Sequence, residues 1–227
     1  MSALHRVAMA VGGDRIEDYE TFDLEVSRQI RAATSGRRVL ETGCGPGTEA
    51  IRLQMEFGAN QVIATDISFG MLQAARKKYP HLLLVQADAR HLPFRENAVD
   101  AVYSNCMYHH IDEPDRKLVL DESLRVSSHS VLLKEIAGFE NRFLNAMYTL
   151  YYSIVDGSAN RPTVERWLEC LGSAVQTCIR RPERAFVFRY VFFVLDSSVK
   201  ETIMYATDQA EPEGNLVRNS GPQRFKF

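Results

Sequence analysis

The sequence predicts a doubly wound α/β domain, and three observations carry that prediction. Short apolar runs alternate with helical patterns between Arg38 and Glu135. A glycine-rich turn follows the first run and leads into a helical segment. Two acids, Asp66 and Asp88, close the second and third runs, where ligands of open α/β sheets bind.

The runs are Val39-Leu40, Val62-Ile63-Ala64, Leu82 to Val85, Ala101-Val102-Tyr103 and Val131-Leu132-Leu133. A helix is expected from about Asp18 to Ala33, ahead of the first run. Ala50, Leu53 and Phe57 share one helical face, as do Leu120 and Leu124. Ser68 is a candidate N-cap for the helix carrying Met71, Leu72 and Ala75, and Pro80 ends it. Beyond Glu135 the pattern changes. Phe143, Met147, Leu150, Tyr151 and Ile154 mark an amphipathic helix from Phe139 to Val155. Val164, Trp167, Leu168 and Leu171 mark another, entered through Pro162 and Thr163. Ala185 to Leu195 reads as a long strand, with Gln176 to Arg180 as its partner. Asp208 to Phe227 reads as a polar tail.

Composition excludes several classes. The chain of 227 residues is 45% hydrophobic and 25% charged, an ordinary globular balance. A net charge of −2 and a pI near 6.3 give no nucleic-acid footprint. Cys44, Cys106, Cys170 and Cys178 form no C-x-x-C pair, so no metal site is expected. Met1 to Gly13 lacks the apolar core of a signal peptide, and no run approaches the roughly 20 apolar residues of a membrane span. The expected location is the cytoplasm, with the cysteines reduced.

The stretch Glu41-Thr42-Gly43-Cys44-Gly45-Pro46-Gly47-Thr48 carries the most chemistry. Its glycines permit positive φ and close approach of a ligand to the backbone. The following helix N-terminus adds unpaired N–H groups. The spacing is G-x-G-x-G. The dinucleotide fingerprint is G-x-G-x-x-G, and Thr48 stands where its third glycine would be. Asp66, about 20 residues on, is positioned to bond both hydroxyls of a ribose, or to complement a helix dipole. Asp88 can accept from an exocyclic amine of adenine while the Ala89 N–H donates to a ring nitrogen. Alone, Asp88 would be a loop acid.

These residues resemble the class I S-adenosylmethionine-dependent methyltransferases, in particular the branch acting on small molecules. The resemblance is good over residues 36 to 136 and loose elsewhere. Glu41 to Gly47 looks like the first motif, Asp66 to Leu72 the ribose-binding turn, and Asp88 to Phe94 the adenine-binding turn. Asp100 to Asn105 with His109-His110 looks like the fourth motif. Glu122 to Val126 looks like the helix before the fifth strand. The resemblance implies a Rossmann-like, doubly wound seven-stranded sheet, mostly parallel with an antiparallel last strand, plus a helical lid. It implies one domain over 1–207: a helical lid at 1–35, a cofactor core at 36–136, a lid-helix insertion at 137–162, and a helix with strands at 163–207. It implies S-adenosyl-L-methionine as cofactor and S-adenosyl-L-homocysteine as product. Glu41, Gly43, Gly45 and Gly47 would serve the methionine moiety, and Asp66 the ribose. Ile67 and Met71 would flank the adenine or ribose, Asp88 and Ala89 would read the adenine, and Ser104 and Asn105 would lie beside the sulfonium. The sequence departs from the family at Ser127-Ser128-His129-Ser130, where a Pro-Gly-Gly turn is usual.

Methyl transfer needs alignment first, and a base where the acceptor must lose a proton. His109 and His110 are the candidates, with Glu135 behind them. The expected partner is a small acceptor, aromatic or lipophilic, under a lid bearing Tyr148, Tyr151 and Tyr152, with Tyr19 opposite. Those tyrosines fit a plain core equally well. Nucleic acid, membrane insertion and an arsenite-methylating role suggested by Cys106 are not expected. Three other readings remain open: non-methylating chemistry such as a pericyclic reaction, cofactor binding without catalysis, and NAD-dependent oxidoreduction.

Overall fold

The computed structural model describes residues 16–158, 160–180 and 189–198. Seven strands form one sheet in the order β3-β2-β1-β4-β5-β7-β6. The strands are β1 (Arg38–Thr42), β2 (Gln61–Asp66), β3 (Leu83–Gln86), β4 (Val99–Asn105), β5 (Ser127–Ile136), β6 (Val175–Arg180) and β7 (Tyr190–Asp196). All neighbours pair in parallel except β7, which runs antiparallel to both β5 and β6. The expected antiparallel last strand is therefore present. Its expected first residues, 185–188, lie outside the described residues, as do the tail and the side chain of Tyr19.

Helices α1 (Ile16–Thr34), α2 (Thr48–Met55), α3 (Phe69–Lys78) and α4 (Glu113–Val126) accompany the first five strands. Val39, Leu40, Val62, Ala64, Ala101 and Val102 are all but fully buried. Covering both faces of the sheet requires apolar runs in place of alternation. The Ser68 cap is realised, its Oγ accepting from the Met71 N–H. At the departure from the usual turn, α4 runs directly into β5. There the Ser127 Oγ donates to the Ser130 carbonyl at 2.9 Å and accepts from the Ser197 Oγ at 2.9 Å.

Helix α5 (Arg142–Val155) begins three residues later than its periodicity suggests. Asn141 caps it by accepting from the Phe143 and Leu144 N–H groups, a stronger start signal than an apolar side chain. Tyr148 and Tyr152 are core, stacked edge-on against each other, while Tyr151 faces outward with Phe143, Met147, Leu150 and Ile154. Helix α6 (Val164–Leu171) anchors through Trp167, whose indole N–H donates to the Ile136 carbonyl. Among the described residues no helix is long and apolar enough to cross a membrane.

Candidate active site

The chain crosses from β3 past β2 and β1 to β4, so the strand order reverses between β1 and β4. A crevice opens at such a switch point. Here it is a cavity of about 610 Å3, within the range of small-molecule sites. It is built from the loop after β1 (Gly43, Gly45), the end of β2 with the start of α3 (Asp66, Ile67, Met71), and the end of β3 (Asp88, Ala89, Arg90). The far wall is Cys106, Met107, His110 and Ile111 after β4, with Asp115 from α4.

Asp66 ties the glycine loop to the next turn. One carboxylate oxygen accepts from the Gly45 N–H at 2.8 Å, and the other from the Ser68 N–H at 2.8 Å. Gly45 sits at φ 50°, and a Cβ there would meet nothing within 4 Å. The backbone at this point is bare toward the cavity. Gly47 serves packing instead. A Cβ there would lie 2.8 Å from Leu82 Cδ1 and 3.2 Å from the Ala75 Cβ, so the glycine lets the start of α2 approach α3 and the loop before β3. At β3, the Asp88 carboxylate is gripped by the Arg90 guanidinium at 2.7 Å, which lowers its pKa. Arg90 also reaches Asp115 at 2.6 Å and closes that end of the cleft.

Of the residues singled out from sequence, Gly43, Gly45, Asp66, Ile67, Met71, Asp88, Ala89 and His110 line this one cavity. Glu41, Gly47, Ser104, Asn105 and His109 do not. Glu41 and Ser104 are buried at the ends of β1 and β4, where Thr42 and Ser104 are paired in register. Four side-chain atoms there lack a hydrogen-bond partner: Glu41 Oε2, Thr42 Oγ1, Ser104 Oγ and Asn105 Oδ1. Burial, reinforced by Glu49, holds the Glu41 carboxyl well above the usual carboxylate range, and the Ala50 N–H offsets this only in part.

The histidines separate into two roles. Both lie on a single 3-10 turn, Tyr108–His110. His109 is buried, its Nδ1 2.7 Å from Glu135 Oε2 and its Nε2 3.7 Å from Asp156 Oδ2. Glu135 is also buried, and its other oxygen accepts from the Met107 and Tyr108 N–H groups at 2.9 and 2.8 Å. Asp156 is held in turn by the buried Arg161 at 2.6 Å. His110 stacks on His109 with centroids 4.2 Å apart and faces the cleft. Burial, then the neighbouring His109, lowers its pKa.

Sequence reasoning missed Arg90, Met107, Ile111, Asp115, Asp156 and Arg161. Arg90 sits beside Asp88 in sequence, but its second partner is 25 residues away. Asp156 and Arg161 come from the segment after α5, which carries no motif. Cys106 takes φ 54°, a conformation unusual outside glycine, as the chain leaves β4.

Comparison with known proteins agrees with this geometry. Residues 39–129 match the family described as "Methyltransferase domain". Over 79 residues the chain is 39% identical to the malonyl-acyl-carrier-protein O-methyltransferase of Legionella pneumophila, a match covering 32% of this chain and 27% of that protein. Over 119 residues it is 33% identical to the demethylmenaquinone methyltransferase of Renibacterium salmoninarum, covering 52% of this chain and 48% of that one. The chain thus spans less than half the length of either curated relative. Among solved structures, an S-adenosylmethionine-dependent methyltransferase from Mesorhizobium loti superposes with a TM-score of 0.58 at 18% identity, covering 74% of this chain and 96% of that one. Sheet order and cleft position agree with that sequence match, which likens residues 39–129 to a methyltransferase domain.

Proposed function

We propose that the chain transfers a methyl group from S-adenosyl-L-methionine to a small-molecule acceptor, leaving S-adenosyl-L-homocysteine. The carrying observation is that one cavity at the sheet's switch point gathers the bare Gly45 backbone, Asp66, Asp88 with Ala89, and His110. The four unpartnered polar atoms at the ends of β1 and β4 fit a polar ligand end seated beside Gly43, since buried polar groups are otherwise satisfied. When bound, the cofactor supplies a methyl on a sulfonium, already activated toward attack.

The chain's own residues bind, orient and deprotonate. Asp66 holds the Gly45 backbone in place and presents its oxygens to a ribose. Ile67 and Met71 give apolar contact. Cys106, Met107 and Ile111 form an apolar wall at the opposite end, which suits an aromatic or lipophilic acceptor. His110 is the group there that can take an acceptor proton. Its lowered pKa keeps it neutral and receptive at neutral pH. His109, out of reach of the cleft, positions His110 by stacking, and Glu135 and Asp156 hold His109.

Calorimetry with S-adenosylmethionine, S-adenosylhomocysteine and NAD tests this reading, with Asp66→Ala as control. The expected result is micromolar binding of the first two, about −8 kcal/mol, lost in the variant. Binding of NAD alone, or of none, would overturn it.

A further inference from the structure

A second cavity, of about 460 Å3, is lined by residues of α4 and α5 and of the segments at 139–140 and 160–163, none of which lines the cleft. Arg116 and Arg161 line it, each more than nine-tenths buried. Arg116 Nε donates to the Tyr108 and Ile111 carbonyls, both at 3.2 Å, and its guanidinium lies 5.0 Å from the Trp167 ring centroid. Among the described residues no carboxylate makes a salt bridge with it, although Glu113, Glu135 and Asp112 act on it through space, and its Nη2 is buried without any hydrogen bond. Arg161 Nε is likewise unpartnered. A buried guanidinium without a directly bonded counter-ion is costly, and an anion seated in the cavity would offset that cost.

The rest of the lining supplies further charge. Arg161 is neutralised by Asp156 at 2.6 Å, and Arg166 approaches Glu113 at 3.9 Å. The lining itself carries Arg116, Arg142, Arg161 and Arg166 against Glu113 and Glu140, which leaves it net cationic. The volume exceeds that of a lone oxyanion, so a small organic body has room beside the charged group.

We infer that this cavity is a second binding site, taking a small molecule whose carboxylate or phosphate group pairs with Arg116 and Arg142. Guanidinium groups match both oxyanions with paired N–H donors. The inference stands independently of the methyl-transfer reading, because none of these residues lines the cleft.

The test is calorimetric titration of the full chain with inorganic phosphate and, separately, with malonate, at ionic strength fixed with chloride. Saturable one-site binding of at least one anion is expected, and the tighter of the two names the source chemistry. Arg116→Met and Arg142→Ala should each weaken it tenfold or more. Arg142 lies outside the core, so its variant keeps the test decisive if Arg116→Met fails to fold, with thermal unfolding reporting the fold. No saturable heat from either anion, or unchanged affinity in a folded variant, would overturn the site. Absence of S-adenosylmethionine binding in the wild-type chain would sink the cleft reading and leave this one intact.

Discussion

The Nδ1 of His109 lies 2.7 Å from Oε2 of Glu135, and both side chains are buried. The carboxylate serves three donors at once, because its other oxygen takes the Met107 and Tyr108 N–H groups. Glu135→Ala would strand all three in the interior. The expected cost is about 3–5 kcal/mol, read as a lower urea midpoint. Glu135→Gln keeps an oxygen for the two backbone donors but places an amide N–H against Nδ1, forcing the proton to Nε2. Its cost should be nearer 1–2 kcal/mol. Equal losses for the two variants would show that the backbone contacts are not what Glu135 supplies.

His110 faces the cleft with a lowered pKa, set first by burial and then by His109. A general base must be neutral. Turnover of a proton-bearing acceptor should therefore hold through neutral pH and fall only as pH drops below the ordinary imidazole value of about 6.5. His110→Ala should remove that acid limb and lower kcat by about a hundredfold or more. An acid limb that survives in His110→Ala would assign the proton elsewhere.

Glu41 is protonated in the fold at pH values where the unfolded chain is already ionised, because its folded pKa is raised. The native state then binds more protons, so this group's contribution to stability falls as pH rises above the unfolded value of about 4.3. Glu41→Gln should relieve that cost, with a urea-midpoint gain that grows from pH 5 to pH 7.5. If Glu41 meets the methionine moiety, as the family resemblance implies, a cationic group there would ionise it. Calorimetry in two buffers of different ionisation enthalpy would read a proton released by the wild type and none by the variant.

The sheet was legible because both its faces are covered, which turns strands into plain apolar runs such as Val131-Leu132-Leu133. The loop side of the cleft was legible because Gly43 to Gly47, Asp66 and Asp88 are short-range motifs at strand ends. The wall that follows β4 was not. His109 and His110 are adjacent, and which of them faces the cleft depends on a 3-10 turn that Glu135 fixes from 26 residues away. Asp156 and Arg161 reach His109 only through tertiary packing of the segment after α5. Glu41, Ser104 and Asn105 carry the motif yet do not line the cavity, a distinction that strand periodicity alone does not make when both faces are buried.

Gly45 and Gly47 sit two residues apart in one loop, both at positive φ, 50° and 78°. An alanine at either position costs roughly 1–2 kcal/mol for the left-handed backbone. At Gly47 the new Cβ would also press on Leu82 Cδ1 at 2.8 Å and the Ala75 Cβ at 3.2 Å. Overpacking of that kind adds about 1–3 kcal/mol, so Gly47→Ala should be the less stable variant in urea. At Gly45 the Cβ meets no protein atom within 4 Å, and Gly45 lines the cleft. Gly45→Ala should lose only the backbone contribution in stability, yet lose at least tenfold in affinity for S-adenosylmethionine, because the methyl would occupy the space a ligand needs. The two variants should thus rank in opposite order by stability and by binding defect per unit of stability lost. If Gly45→Ala binds as well as wild type while Gly47→Ala does not, the loop's contact with the ligand lies at its helix end, and the bare backbone at Gly45 serves only the turn.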